Sequence, residues 1–323
     1  MDTRIIKYKE GMPFYPVTFP VNEADGLLIE DLQLQQLIDY LNAKKVKSVY
    51  VCSMENFLFL EQCKELEHIA IELQVLPKHY SKMEHKGKRL IKSYDILPLY
   101  GLKKLKSISI IDNEEPYIIS KLQIDLSRFT DLELFSGEYK YIYNLGQAKK
   151  LKTIRLNDYN KETLEELSEL IELDTLELNM SKLKSLKGCK TLSRLQCIYL
   201  YYNRCLQDIS DLKYVKHSLK ALRIENCGKI NDFSVLGELE NLESLALIGS
   251  NEISDISFVK KLKNLKTFVF TVNIQDGDLS PCLGLQHACC AKGRKHYNLK
   301  DAKLPKGEWV RGNESIEMWR RFE

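Results

Sequence analysis

The chain has 323 residues, with 48 basic and 45 acidic side chains and a formal net charge of +3. Such a mixed, near-neutral surface lacks the one-sided basic footprint of a nucleic-acid or anionic-membrane binder, and no run approaches the ~18 apolar residues of a membrane span. Nine cysteines without framework spacing, and an N-terminus with no apolar run before a small-residue cleavage site, predict free thiols and a cytoplasmic location.

Residues 1–45 carry no repeat. Within them Leu34, Leu37, Ile38 and Leu41 share one face of a predicted helix over Asp31–Lys44. Such a helix suits an N-terminal cap, because terminal repeats need a polar outer surface.

From residue 46 to 273 a pattern apolar-x-x-apolar-x-apolar recurs, mostly every 22 to 24 residues. Its anchors are Val46, Leu66, Leu105, Phe129, Leu151, Leu173, Leu195, Leu219, Leu242 and Leu265, as in Leu173-x-x-Leu176-x-Leu178 and Phe129-x-x-Leu132-x-Leu134. Self-similarity at this period signals stacked repeats, each touching only its neighbours, so one elongated domain is expected. The fourth and sixth positions alternate with period two, the mark of a short strand with one buried face. Strands that recur once per repeat are parallel neighbours. The returning segments are rich in Ser, Asp and Asn, and read as 3₁₀ or extended turns. Lys161–Glu172 is the exception: Leu164, Leu167 and Ile171 predict a helix there.

The anchors Leu66 and Leu105 lie too far apart for one period, and the excess falls near Pro77–Tyr94. This insertion is basic, with Lys78, His79, Lys82, His85, Lys86, Lys88, Arg89 and Lys92 against Glu84 alone. It reads as a solvated loop; a partner-contacting arm is the sharper alternative.

Eight positions after the anchors stand Asn113, Ser181, Asn203, Cys227, Ser250 and Asn273. A small polar side chain here turns inward as the strand ends, and can satisfy loop peptides that would otherwise be buried unpaired. LQCIYLYYNRCL, LKALRIENCGKI and LESLALIGSNEI thereby meet the consensus L-x-x-L-x-L-x-x-N/C-x-L. The chain thus resembles the leucine-rich repeat family, and its short coils look like the bacterial internalin-type subtype. The resemblance implies an α/β repeat solenoid, an arc with a parallel sheet on its concave face, 3₁₀ or extended convex segments and a helical N-terminal cap.

From Gln275 the leucine period stops, and residues 274–323 read as a C-terminal cap over the last strand edge. Cys282, His287, Cys289, Cys290 and His296 gather there. Their spacing does not match the paired C-x₂₋₄-C or H-x₃₋₅-H of structural zinc, so no metal is assigned.

No catalytic motif is present: there is no G-x-S-x-G, Gly-rich phosphate loop or H-E-x-x-H. His68 and Glu72 share a strand face, but a catalytic pair needs a third orienting group and a pocket. The chain therefore reads as a non-enzyme with no cofactor. Its fifth and seventh strand positions in the middle repeats are Glu133, Phe135, Arg155, Glu177, Tyr199, Tyr201, Arg223 and Glu225. Aromatics and arginines are enriched in protein interfaces, so these eight are the expected contacts for a protein partner on the concave face. Glu133, Arg155 and Glu177 are also placed for cross-strand ion pairs. A bacterial immunity protein that neutralises a toxin is one concrete version. An enzyme in the irregular ends, or nucleic-acid binding through the basic insertion, are the rivals.

Overall fold

The computed structural model describes residues 16–18, 25–29, 34–52, 54–73, 90–112 and 118–309. Most of the basic insertion, Asn113 and Trp319 lie outside them. The chain divides into two compact units, Met1–Leu151 and Lys152–Glu323, where the spacing predicts one continuous domain. The boundary falls after the least regular coil.

In the first unit the sheet strands are β1 (Pro16–Thr18), β2 (Asp25–Ile29), β3 (Ser48–Cys52), β4 (His68–Leu73), β5 (Ser107–Asp112) and β6 (Leu134–Glu138), neighbours in that order. The pair β1–β2 is antiparallel and the rest are parallel. Between β2 and β3 the predicted helix forms over Leu34–Lys44, burying Leu37, Ile38 and Leu41. Short 3₁₀ turns such as Leu58–Gln62 and Leu97–Gly101 return the chain.

The coil after β5 departs from the predicted frame. Strand β6 pairs Leu134 with Ser107 and Phe135 with Ile108, so the true anchor is Leu132, three residues later than Phe129. Gly137 then falls in the sixth, inward slot, at φ +151°. A Cβ there would sit 3.0 Å from both the Cβ and the carbonyl oxygen of Ile110, tighter than most real contacts, and at this φ a side chain is strained, so the slot favours glycine over leucine.

The second-position residues line the entrance of the strands and carry alternating charge. Glu67 bonds Lys47 at 2.5 Å and Lys106 at 2.6 Å, and Glu133 follows beside Lys106 through the backbone bond Glu133 N–H to Lys106 O, 2.8 Å. The hydrogen bonds from Lys106 and Lys47 hold the Glu67 carboxyl down to about 2. A carboxyl depressed in the folded state adds stability above its unfolded pKa and loses it as pH falls toward the folded value. Glu67→Gln should therefore cost about 1 kcal/mol at pH 7, held to that size because both lysines are half in water. Urea titrations should show this difference shrinking steadily below about pH 4.5.

The second unit is more regular. Its strands are β7 (Thr153–Asn157), β8 (Thr175–Asn179), β9 (Cys197–Tyr201), β10 (Ala221–Glu225), β11 (Ser244–Ile248), β12 (Thr267–Phe270) and β13 (His287–Cys290). All pair in parallel and in register, from Arg155 opposite Glu177 to Val269 opposite Cys289. The fourth and sixth slots form the interior: Leu176, Leu178, Ile198, Leu200, Phe268 and Phe270 are fully buried. The ladder runs past the leucine pattern because Ala288 and Cys290 fill those two slots in β13, and small residues there hide the period.

Outer segments open on an Asp-x-Ser step. Asp208, Asp232, Asp255 and Asp278 each accept a hydrogen bond from the backbone N–H two residues on, at 2.8–2.9 Å. Such Asx turns start the 3₁₀ segments Ser210–Val215, Ser234–Glu238, Ser257–Lys261 and Ser280–Gly284. The helix predicted over Lys161–Glu172 is not formed. Only Glu165–Leu167 is 3₁₀, and Ile171 is exposed; the short coil leaves no room for the turns a helix needs.

The inward polar position behaves as expected in three coils. Asn203 is fully buried; its Oδ1 accepts from the Ser181 N–H at 2.9 Å and from the Ser181 hydroxyl, and its Nδ2 donates to Leu178 O at 3.0 Å. The Cys227 thiol points at Leu200 O. In the next coil the role passes from the exposed Ser250 to Asn251, which donates to Cys227 O and Ile230 O. Gly249 at φ +142° shifts the frame by one residue.

Candidate recognition face

Third, fifth and seventh strand positions project from the sheet on the side away from the leucine interior. In the first unit this arrangement moves two of the eight expected contacts. Glu133 sits in the second position at the strand entrance, next to Lys106. Phe135 is fully buried in the fourth, inward slot, so it is a core residue and not a contact. The same three-residue shift accounts for both. His68 is half-buried, with Nδ1 2.8 Å from the Ser107 hydroxyl across the sheet; burial lowers its pKa.

The other six stand together on the second unit. The fifth positions form a row across β7–β10: Arg155, Glu177, Tyr199 and Arg223. Asn157, Asn179, Tyr201 and Glu225 form the adjoining row, with Asn179 Nδ2 donating to Asn157 Oδ1 at 3.1 Å. Arg155 Nε lies 3.5 Å from Glu177 Oε2, and both side chains are about a quarter exposed. This is the expected cross-strand pair. Burial raises the Glu177 carboxyl, opposed by Arg155 and by Arg223.

Exposure falls along the rows. Arg223 binds Glu225 at 2.7 and 3.2 Å and lies 5.5 Å from the Tyr201 ring; both its side chain and that of Glu225 are buried. Tyr199 and Tyr201 are buried with Cys197 and Ala221 in one cluster. Beyond them the face turns apolar. Ala246, Ile248, Val269 and Cys289 form a second cluster, with Trp309 packed on it. That replacement of charged by small apolar residues at fifth and seventh positions was visible in the sequence, and it signals a covered surface rather than a wetted one.

Trp309 is brought there by pairing at the sheet edge. Ala288 N–H donates to Pro305 O at 2.8 Å and Gly307 N–H to Gln286 O at 3.0 Å, and Lys306 bridges His287 antiparallel. His287 Nδ1 meets Gly307 O at 2.8 Å, and its ring lies 4.5 Å from that of Trp309. These contacts occupy strand groups that an edge would otherwise leave unpaired. The other tail residues weighed for metal are engaged in packing: burial raises the Cys282 thiol to about 12 and Cys290 to about 11, and His296 Nε2 faces Ile274 O. Among the described residues no group of three His, Cys, Asp or Glu is placed to hold a metal, and no helix is long and apolar enough to cross a membrane.

No family model matches the chain, and no curated protein matches it by sequence. Solved structures similar to it include an internalin, InlF, from Listeria monocytogenes, at 19% identity over 78% of this chain and 63% of that one, with a TM-score of 0.45. The leucine-rich repeat domain of the type III effector XopL is 14% identical over 76% of this chain and 84% of that one, with a TM-score of 0.48. The plant peptide hormone receptor RGFR1 in complex with RGF2 is 13% identical over 77% and 55%, with a TM-score of 0.31. This chain spans less than two thirds of the length of the internalin. In its repeated leucine slots, its parallel strands returned by 3₁₀ turns and its inward Asn and Cys after the strand, the chain has the leucine-rich repeat fold.

Proposed function

We propose that the chain is a non-catalytic protein-recognition module that acts by occupancy, holding a partner against the sheet face of the second unit. The observation that carries this reading is the in-register, partly exposed group of Arg155 and Glu177 with its flanking Asn157 and Asn179, where the rows of the face still meet water. Rigid parallel strands fix these side chains at strand spacing, so ordering them on binding costs little entropy. The two ionic residues at the β7–β8 end keep contact with water, and there a partner begins its contact. Buried thiols support the non-catalytic reading: Cys189 is raised to about 12 and Cys227 to about 11, far from the thiolate a nucleophile requires.

Capture from the native host tests it, with mass spectrometry to identify what is retained. Arg155→Glu combined with Glu177→Lys keeps net charge and strand pairing but inverts the pattern presented. The leading partner should lose at least about tenfold in affinity, since reversed charge pairs at an interface cost several kcal/mol. Undiminished capture would remove this face from consideration.

A further inference from the structure

The coils of the second unit leave strands β7 to β11 through a residue at positive φ. In order these residues are Asp158 (φ +52°), Met180 (φ +53°), Tyr202 (φ +54°), Asn226 (φ +54°) and Gly249 (φ +142°). Backbone bonds link them into a row. Asp158 N–H donates to Asn179 O, Met180 N–H to Tyr201 O, Tyr202 N–H to Glu225 O and Asn226 N–H to Ile248 O, all at 2.8–2.9 Å. Glycine takes this conformation freely, and Asp and Asn tolerate it. Methionine and tyrosine do so only under strain, and strained bulky residues cluster where function requires them.

Packing does not account for this pair. Met180 is 55% exposed and Tyr202 37%, so burial in the interior does not offset the strain. They stand at equal register in adjoining coils, one residue beyond the paired Asn179 and Tyr201, where strands lie about 4.8 Å apart. Together they form an apolar ridge at the exit of β8 and β9. Lys182 and Arg204 follow them by two residues, and Lys229 follows Asn226 by three; all three cations are exposed. Lys184 and Lys187 by contrast meet carboxylates, Glu162 at 2.6 Å and Glu165 at 2.8 Å, whereas among the described residues no carboxylate pairs with the three cations of the ridge.

We propose that this ridge is a docking site for an acidic segment of another protein that also carries apolar side chains. Met180 and Tyr202 supply the apolar contact, and Lys182, Arg204 and Lys229 supply the charge that draws carboxylates and lines them up along the coils. Methionine adapts to differently shaped apolar surfaces, tyrosine is a frequent anchor in protein interfaces, and cations beside such an anchor steer an acidic partner. A nucleic acid fits less well, because an exposed thioether offers its phosphates nothing and a net charge of +3 provides no wider basic field. The site borders the Arg155–Glu177 end of the recognition face but stands on its own observation, the strain held at Met180 and Tyr202.

The probe is a short, fluorescently labelled peptide alternating aspartate and phenylalanine, read by fluorescence anisotropy at low salt against the same peptide with lysine in place of aspartate. The acidic peptide should bind the full chain saturably, and at least about tenfold more tightly than the basic one. Met180→Asn with Tyr202→Asn should weaken binding at least about tenfold, and Lys182→Glu with Arg204→Glu by a similar factor. The asparagine pair should at the same time raise the melting temperature by roughly 2–4 °C, because it relieves the backbone; loss of a structural contact would lower it. An unchanged or lower melting temperature, no saturable binding, equal binding of the basic peptide, or undiminished binding by either double variant overturns the proposal. Tighter binding of single-stranded oligothymidylate than of the acidic peptide also overturns it, in favour of nucleic acid. The recognition face is judged separately. Peptide binding that behaves as expected, with host capture indifferent to the Arg155→Glu, Glu177→Lys exchange, keeps the ridge and removes the face. Capture lost on that exchange, with peptide binding unmoved by the ridge variants, removes the ridge and keeps the face.

Discussion

Arg223→Met is expected to destabilise the second unit by about 3–5 kcal/mol, the cost of leaving a buried carboxylate without its cation. The guanidinium makes two bonds to Glu225, and both side chains are almost wholly out of water. Methionine fills similar volume, so the loss is electrostatic rather than steric. A second substitution separates this from a packing defect. Adding Glu225→Leu should recover most of the stability, since a buried ion pair replaced by apolar groups is close to neutral. Urea unfolding of the three chains at pH 7 measures the effect. A loss below about 1 kcal/mol would place the pair in water.

Asn203→Ala should cost about 3 kcal/mol by a different route. The side chain closes bonds between two consecutive coils, accepting from Ser181 and donating to Leu178 O. Its removal leaves a buried backbone N–H and a buried carbonyl unpaired, each worth roughly 1–3 kcal/mol. Asn273 occupies the matching place in a later coil, but it is half-buried and its amide binds the exposed Glu252. Asn273→Ala should therefore change stability by less than about 0.5 kcal/mol. Thermal or urea denaturation of the two variants side by side makes the comparison; equal effects would show that burial of this slot is not what gives the asparagine its value.

The interior of the coils was legible from residue spacing because each leucine slot is dictated by local periodicity. Leu176, Leu178, Ile198 and Leu200 point inward as their pattern requires. Phe135 was misplaced because two frames fit its stretch. Phe129-x-x-Leu132-x-Leu134 is all apolar, whereas the frame that forms, Leu132-x-x-Phe135-x-Gly137, hides its sixth slot behind a glycine. Eight positions from the anchor Leu242 stands Ser250, and with Gly249 at positive φ the inward place falls one residue later, on Asn251. Lys161–Glu172 has a helical stripe, yet a coil of this length closes on a single 3₁₀ turn. Of the candidate site, spacing identified which side chains share the face of β7–β10. Their exposure depends on what lies above the sheet, and strand periodicity carries no record of that.

The alternating charges along the strand entrances of the first unit restrict how the chain could have grown. Lys47, Glu67, Lys106 and Glu133 succeed one another in adjoining coils. Excising one coil would set ammonium against ammonium or carboxylate against carboxylate, whereas excising two restores opposite neighbours. Loss or gain of coils in this stretch keeps opposite charges adjacent only when it happens by twos.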